Sequence, residues 1–366
     1  MSEMILAINP GSTSTKIAVF DGENLVFESN IHHSNQDLSL FDCIVDQFDF
    51  RKQAIEQELV NHSVSLMNFD VIVGRGGLIY PICSGTYPVN DAMKRDLVTS
   101  PVGEHASNLG GLIADEIARQ ISKETGRDVI AYIADPVVVD EMDDVARITG
   151  LPIFQRKSVF HALNHKSLAR IYADKMGRKY EDMNMIITHL GGGISVAAHR
   201  HGMAIDVNNT LDGQGPFTPE RSGTLPVGDL VKLCYSGKYT YEQMKKLVKG
   251  EGGFVAHLGT NDTQQVLRMV ENGDQHAELI LDALCYNIAK EIGAMSVVLH
   301  GEVDVIIITG GMAHSKEIVD RIMRRVDYIA PVVVYAGQNE MNALRDSVLG
   351  VLRGTITPKI YAPDVE

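Results

Sequence analysis

Two short segments constrain this chain more than anything else in it. In Ile5-Leu6-Ala7-Ile8-Asn9-Pro10-Gly11-Ser12-Thr13-Ser14-Thr15-Lys16-Ile17-Ala18-Val19-Phe20, an apolar run meets a small hydroxyl-rich turn and a second apolar run. Short apolar runs rich in β-branched residues and bounded by Gly and Ser read as buried strands. A Gly turn between them brings backbone N–H groups close to a bound anion, because no Cβ stands in the way. This is not a Walker loop, in which GxxxxGK[ST] runs into a helix. A second copy follows in Met185-Ile186-Ile187-Thr188-His189-Leu190-Gly191-Gly192-Gly193-Ile194-Ser195-Val196. Laid on the first, it places His189 over Asn9 and Gly191 over Gly11. Two such units about half a chain apart predict two related α/β halves with a cleft between them.

The length of 366 residues also suggests two domains. No apolar run is long enough to span a bilayer. The chain is strand-like from residue 4 and has no basic leader, so a cytoplasmic protein without a signal peptide is expected. Cys43, Cys83, Cys234 and Cys285 form no CxxC pair, which favours reduced thiols over disulfides or zinc. A net charge of −14 without a basic block argues against nucleic acid or an anionic membrane as partner. Any anionic substrate must then be met by individual cationic side chains.

Strands and helices alternate along the chain. Strands are predicted at Phe69–Val73, Val129–Ala134, Ala204–Asn208, Val303–Thr309 and Val332–Tyr335. Helices are predicted at about 42–64, 90–98, 105–122, 158–176, 275–300 and 339–353. The Gly- and Pro-rich stretch 213–228 is too long for a simple connector. Ligands sit beyond the carboxyl ends of strands in α/β sheets. Asn9, Arg75, Asp135, His189 and Gly310 all fall at such ends.

Several of these positions allow more than one reading. Arg75 lies between Gly74 and Gly76-Gly77, poorly shielded and suited to a carboxylate or phosphate, or is a turn arginine at the surface. Arg221, in Pro219-Glu220-Arg221-Ser222-Gly223, reads equally as an anion ligand or as a side chain that is paired with Glu220 or solvated. Asp135, before Pro136, reads as a Mg²⁺ holder or as a cap. Glu340 reads as a metal group or as a first-turn glutamate favoured by the helix dipole. His105 opens a helix, where anions bind well, or is a polar cap residue. His161 and His165 are spaced as zinc ligands can be, but no HExxH pattern or third ligand accompanies them. A phosphate-facing His161 with His165 on the helix surface is the favoured reading. Gly310-Gly311 is a simple turn or a flat backbone seat for adenosine.

Together these motifs resemble the acetate kinase (acetokinase) family over essentially the whole length, and within it the butyrate kinase branch. Asn9-x-Gly11-Ser12-Thr13-Ser14-x-Lys16 matches the family's first motif and His189-x-Gly191-x-Gly193-x-Ser195 its second. Val73-Gly74-Arg75-Gly76-Gly77-Leu78 with Gly85-Thr86-Tyr87, and Gln338-Asn339-Glu340-Met341-Asn342 with Leu352-Arg353-Gly354, are similar to the butyrate kinase branch. Acetate kinases usually carry two more residues, one a His, between the Arg and the Gly pair.

The resemblance implies a two-domain actin-like ATPase fold, with residues 1–135 plus 341–366 as one lobe and 136–340 as the other. It implies transfer of the γ-phosphoryl of ATP to a short-chain carboxylate, giving an acyl phosphate and ADP, with Mg²⁺ as cofactor and a homo-oligomer, dimeric or larger. Carried over by position, Asn9, Ser12, Thr13 and Lys16 lie near the transferred phosphate, and Asp135, Glu340 and Asn9 organise Mg²⁺. Arg75 and His105 hold the carboxylate, and Arg75 and Arg221 the phosphoryl group in transfer. His161 donates to a phosphoryl oxygen. His189 with Gly191, Gly192 and Gly193 faces the ATP phosphates, and Gly310-Gly311 the adenosine.

Overall fold

In the computed structural model, which describes residues 3–337 and 339–363, the apolar runs form two sheets. Gln338 of the last motif lies outside the described residues. The chain divides into two compact units, Met1–Val139 with Asn339–Glu366, and Asp140–Gln338. Asp135 and Glu340 therefore both belong to the first unit, whereas the sequence reading put Glu340 in the other lobe.

The first unit contains β1 (Met4–Pro10), β2 (Ser14–Asp21), β3 (Asn24–His32), β4 (Val71–Arg75), β5 (Thr86–Pro88) and β6 (Ile130–Ala134), in the order β3-β2-β1-β4-β6-β5. The second contains β7 (Asn184–Leu190), β8 (Ile194–Arg200), β9 (Met203–Val207), β10 (Val305–Gly310) and β11 (Val332–Ala336), in the order β11-β10-β7-β8-β9. Each sheet contains an antiparallel three-strand meander whose first strand also pairs in parallel with a further strand, β4 or β10; β6 and β11 extend those parallel runs, and β5 ends the first sheet antiparallel to β6. The duplication read from the two hairpins is thus a duplication of sheet topology. Asn9 pairs with Lys16 and His189 with Ser195, each at the next-to-last position of its strand.

Both faces of the central strands are buried, which is why these strands read as unbroken apolar runs. On one face of the first sheet Leu6, Ile8, Ile17 and Val19 pack with Ile113 and Ile117 of the helix Asn108–Thr125. The helix Glu340–Leu352 packs on β1 and β4, bringing Glu340 toward the carboxyl end of β1. In the second sheet Ile186, Ile306 and Ile308 meet Leu281, Leu284 and Ile288 of the helix Gln275–Val298. Met185, Ile187 and Ile307, on the opposite face, meet Leu168 and Tyr172 of the helix Ala162–Lys175.

Several boundaries differ from the sequence reading. The helix expected from 42 begins at Phe48, after a single tight turn over Val45–Gln47. Those expected from 105 and 158 begin at Asn108 and Ala162, which leaves His105 and His161 as non-helical flanks. β5 and the helix Gly253–Leu258 escaped the reading because three and six residues are too few to show a period. No helix among the described residues is long and apolar enough to cross a membrane.

Candidate active site

In the first unit, Asn9, Arg75 and Glu340 come together at the ends of β1 and β4 and the start of the last helix. Asn9 Nδ2 donates to Glu340 Oε2 at 2.5 Å, and Arg75 Nη1 donates to Asn9 Oδ1 at 3.3 Å. Arg75 Nη1 also lies 3.5 Å from the Glu340 carboxylate. Asn9 and Glu340 are both 8% exposed. A buried carboxylate must be held by hydrogen bonds or an opposite charge, and this one has both.

The glycines around Arg75 serve packing rather than freedom of the arginine. A Cβ on Gly74 would lie 2.2 Å from the Gly110 carbonyl oxygen, and one on Gly76 would lie 2.5 Å from Pro136. They let the helix Asn108–Thr125 and the turn after β6 close against β4, which fixes where Arg75 emerges. His105 precedes that helix, and its Nδ1 accepts from the backbone N–H of Ser107 at 3.1 Å. That bond leaves the imidazole proton on Nε2.

Asp135 sits at the end of β6 with φ +37°, a conformation uncommon outside Gly, Asn and Asp. Its Oδ1 accepts from Ser84 Oγ at 2.6 Å and from the Gly85 N–H at 2.7 Å, so this oxygen ties the loop before β5 to β6. Lys16 forms an ion pair with Glu28 of β3 at 2.8 Å, drawn sideways along the sheet rather than over the turn. Ser12 and Thr13 are exposed at the tip of the first hairpin.

In the second unit His161, His165, His189 and His199 form one group. His161 and His189 stack with ring centroids 3.9 Å apart and planes 13° apart. His189 Nδ1 is 3.0 Å from Asn164 Oδ1. Ser195 Oγ lies 2.9 Å from both His161 Nδ1 and His165 Nε2. His165 Nδ1 lies 3.2 Å from His199 Nε2, and His199 Nδ1 lies 2.5 Å from Tyr180 OH. His165 is therefore not on the helix surface, as the sequence reading had it, but fully buried. Burial holds the pKa of both His165 and His199 well below the ordinary histidine value. Neutral imidazoles each donate once and accept once, so the chain has a direction. When it runs from Tyr180 through His199, His165 and Ser195, each group donates to the next and His161 carries its proton on Nε2.

Arg221 lies over the second Gly turn. A Cβ on Gly193 would come within 2.4 Å of Arg221 Nη1, so the bare Gly admits the guanidinium. Nη1 donates to the Thr210 carbonyl at 2.6 Å, while the buried Nε has no partner. Burial lowers its pKa, with Glu220 acting the other way. Among the described residues no carboxylate forms an ion pair with it, so the reading of Arg221 as a partner of Glu220 does not hold. A partly buried cation of this kind is short of an anion.

Next to this turn lies a cavity of about 350 Å³, lined by Gly191, Gly192, Glu220, Asp262, Gly311 and Ser315. Asp262 and Ser315 cap the helices Thr263–Glu271 and Lys316–Val326, so two helix N-termini open on the cavity. Helix N-termini favour anions. The two members of the 310–311 pair differ. Gly310 has φ +92°, and a Cβ there would lie 2.3 Å from the Leu190 carbonyl oxygen, so it serves the contact between β10 and β7. Gly311 lines the cavity and has open space where a Cβ would stand.

A family model described as the acetokinase family matches residues 152–348. The chain belongs to the acetokinase family. Three solved structures share its fold across nearly the whole length. Acetate kinase from Porphyromonas gingivalis is 16% identical with a TM-score of 0.74, covering 94% of this chain and 99% of that one. A propionate kinase from Francisella tularensis subsp. tularensis SCHU S4 is 16% identical with a TM-score of 0.70, covering 94% and 98%. Acetate kinase from Entamoeba histolytica is 16% identical with a TM-score of 0.72, covering 94% and 98%. This acetokinase thus has the α/β actin-like ATPase fold with duplicated halves that its two hairpins imply.

Mg²⁺ prefers oxygen ligands and is usually held by one or two carboxylates plus substrate phosphates. The Glu340 carboxylate and the Asn9 amide oxygen fit that pattern. Among the described residues no three His, Cys, Asp or Glu side chains cluster as a metal cage, which a zinc site at His161 and His165 would need. Asn164, His199, Tyr180 and Thr210 were not found from the sequence. Only Asn164 carried a local signal, sitting between the two histidines of the same helix start.

Proposed function

We propose that this acetokinase is a butyrate kinase, moving the γ-phosphoryl group of ATP reversibly and directly to butyrate to give butyryl phosphate and ADP. A branched acid such as isobutyrate, or another short-chain fatty acid, is the alternative substrate of the same reaction. The observation that carries the reading is Arg221: a partly buried guanidinium, its Nε fully buried, without a carboxylate partner, set over a Gly turn beside a cavity open to two helix N-termini. Its natural complement is a phosphoryl group.

A simple carboxylic acid has a pKa of roughly 4–5 and is already ionised near pH 7, so no general base is needed. The obstacle is charge. At about 4 Å and an effective dielectric near 20, each like-charged pair opposes approach by about 4 kcal/mol. Arg75 receives the carboxylate, with His105 contributing Nε2–H. Arg221 neutralises the phosphoryl group as its charge spreads in transfer. His161 donates Nε2–H to a phosphoryl oxygen, its tautomer set by Ser195. Gly191–Gly193 and His189 take the nucleotide phosphates, and Gly311 the adenosine side. Ser12, Thr13 and Lys16 border the transferred phosphate, with Lys16 swinging away from Glu28 to do so. Glu340 and Asn9 would hold Mg²⁺, with the Asp135 carboxylate contributing its charge. Bound there, Mg²⁺ would supply positive charge against that of the phosphates.

Preference for an acid larger than acetate rests on the short Arg75 segment. Of the apolar residues near it, Ile79 is fully buried in the core, Leu78 is buried beside it but reaches Gly103, and Val102 is exposed. Leu78 and Val102 are the better candidates to meet an alkyl chain. Each buried methylene is worth about 0.8 kcal/mol, or roughly fourfold in affinity.

The test is hydroxamate-trapped acyl phosphate formation with Mg-ATP across acetate, propionate, butyrate, isobutyrate and valerate. A maximum at butyrate or isobutyrate supports the reading. A maximum at acetate overturns the specificity, and no product with any acid from protein that binds ATP overturns the reaction.

A further inference from the structure

Arg51 lies in the first turn of the helix Phe48–Asn61 and is wholly buried. Its Nη1 donates to the carbonyls of Gly11 at 2.9 Å and Ser14 at 3.0 Å, and to Thr15 Oγ1 at 3.1 Å. Nη2 donates to the Ser12 carbonyl at 3.1 Å and to Gln47 Oε1 at 2.9 Å, and Nε to the same Gln47 oxygen at 3.0 Å. All three carbonyls belong to the first hairpin turn. Burial pushes the Arg51 pKa down to about 10. No carboxylate among the described residues pairs with it.

Two consequences follow. Across a planar trans peptide, the carbonyl of one residue and the N–H of the next point opposite ways. Gathering the Gly11 and Ser12 carbonyls onto the guanidinium therefore turns the Ser12 and Thr13 N–H groups outward. Neither N–H is hydrogen-bonded to another described residue, and both residues are exposed. The second consequence is electrical. A cation without a counter-ion sits behind a turn whose front presents N–H dipoles. An anion on that front supplies the missing charge through a low-dielectric layer, where salt screens little.

We propose that Arg51 is the positioning and charge-compensating residue of the first phosphate turn: it shapes the Gly11–Ser14 backbone into an anion seat, and its unpaired charge favours a fully ionised phosphoryl group there. This rests on the reading of that hairpin as phosphate-facing. It adds a residue that touches no substrate and that no motif marks.

Gln47 supplies a test that leaves the scaffold standing. Gln47→Glu can accept the same two hydrogen bonds from Arg51 while giving it a counter-ion. The probe is inorganic phosphate, titrated into the full chain and followed by the amide shifts of Ser12 and Thr13. The reverse reaction gives a second readout, the KM for butyryl phosphate against that for ADP. For Gln47→Glu the expected result is an unchanged or higher melting temperature, phosphate binding weakened on the order of tenfold, and a similar rise in KM for butyryl phosphate. KM for ADP should stay within about threefold, since the second hairpin is untouched. Arg51→Lys keeps the charge without the fork and should bind phosphate better than Arg51→Gln. Phosphate binding by Gln47→Glu equal to that of the wild type overturns the inference alone. Wild-type Ser12 and Thr13 amides that ignore phosphate overturn the phosphate-turn reading, and the inference with it.

Discussion

Adding one methyl group at Gly193 tests the role of Arg221 more cleanly than removing the arginine. A Cβ there would lie 2.4 Å from Nη1 and 3.1 Å from Cζ of Arg221, so the guanidinium must move. The backbone need not, because Gly193 is not among the residues with positive φ. The fold loses the bond from Nη1 to the Thr210 carbonyl, worth about 1–2 kcal/mol. It regains about 0.4–1 kcal/mol from the stiffer unfolded chain. Stability should thus fall by no more than about 1.5 kcal/mol. Catalysis should change far more. Opposite a phosphoryl charge about 4 Å away, at an effective dielectric near 20, the guanidinium is worth about 4 kcal/mol. At about 1.4 kcal/mol per decade, losing it in Arg221→Ala costs roughly a thousandfold in kcat. Gly193→Ala keeps the charge but misplaces it by about an ångström, which costs on the order of a hundredfold. In Gly192→Ala the nearest atom to the new Cβ is Glu220 Oε1 at 3.9 Å, so Arg221 stays in place and the effect should fall on KM for ATP. Calorimetry and the hydroxamate assay read both quantities. A folded Gly193→Ala protein with kcat within threefold of the wild type would refute the assignment.

Two further outcomes are expected. His33, His165 and His199 all have pKa values lowered chiefly by burial, His33 to about 4 with Arg51 adding to the effect. Each is neutral in the fold and takes up a proton on unfolding once the pH is below about 6.5, so stability is full above that value and declines as the pH falls toward 4. Urea melts from pH 8 to 4.5 should show that decline, and a flat profile would mean that these imidazoles are solvated. Asp135→Asn keeps an oxygen to accept from Ser84 and Gly85 but removes the charge. It should melt within a few degrees of the wild type while needing roughly tenfold more Mg²⁺ for half-maximal rate; an unchanged Mg²⁺ requirement would leave Asp135 a purely structural tie.

Much of this protein is written locally. The runs of β1, β2, β7 and β8 announce buried strands because central strands covered on both faces must be apolar throughout. The Gly turns between them announce an anion seat, and their repetition half a chain apart announces the duplicated sheets. Other features depend on residues that no local pattern connects. Whether a glycine admits a ligand or a neighbouring chain is decided by what packs against it, so Gly74 and Gly310 proved to serve the fold, while Gly193 admits Arg221 and Gly311 lines a cavity. The burial of His165, its path through Ser195 to His161, and the pairing of Asn9 with Glu340 across 331 positions of sequence exist only once the sheets are assembled. Arg51 is the extreme case: in the sequence it is one more basic residue of a polar helix, and only the packing of that helix behind the first hairpin makes it a buried cation. Periodicity records which side of an element is buried, since that is a property of neighbours along the chain. Charge compensation and hydrogen-bond direction are properties of neighbours in space, and those are set by tertiary structure alone.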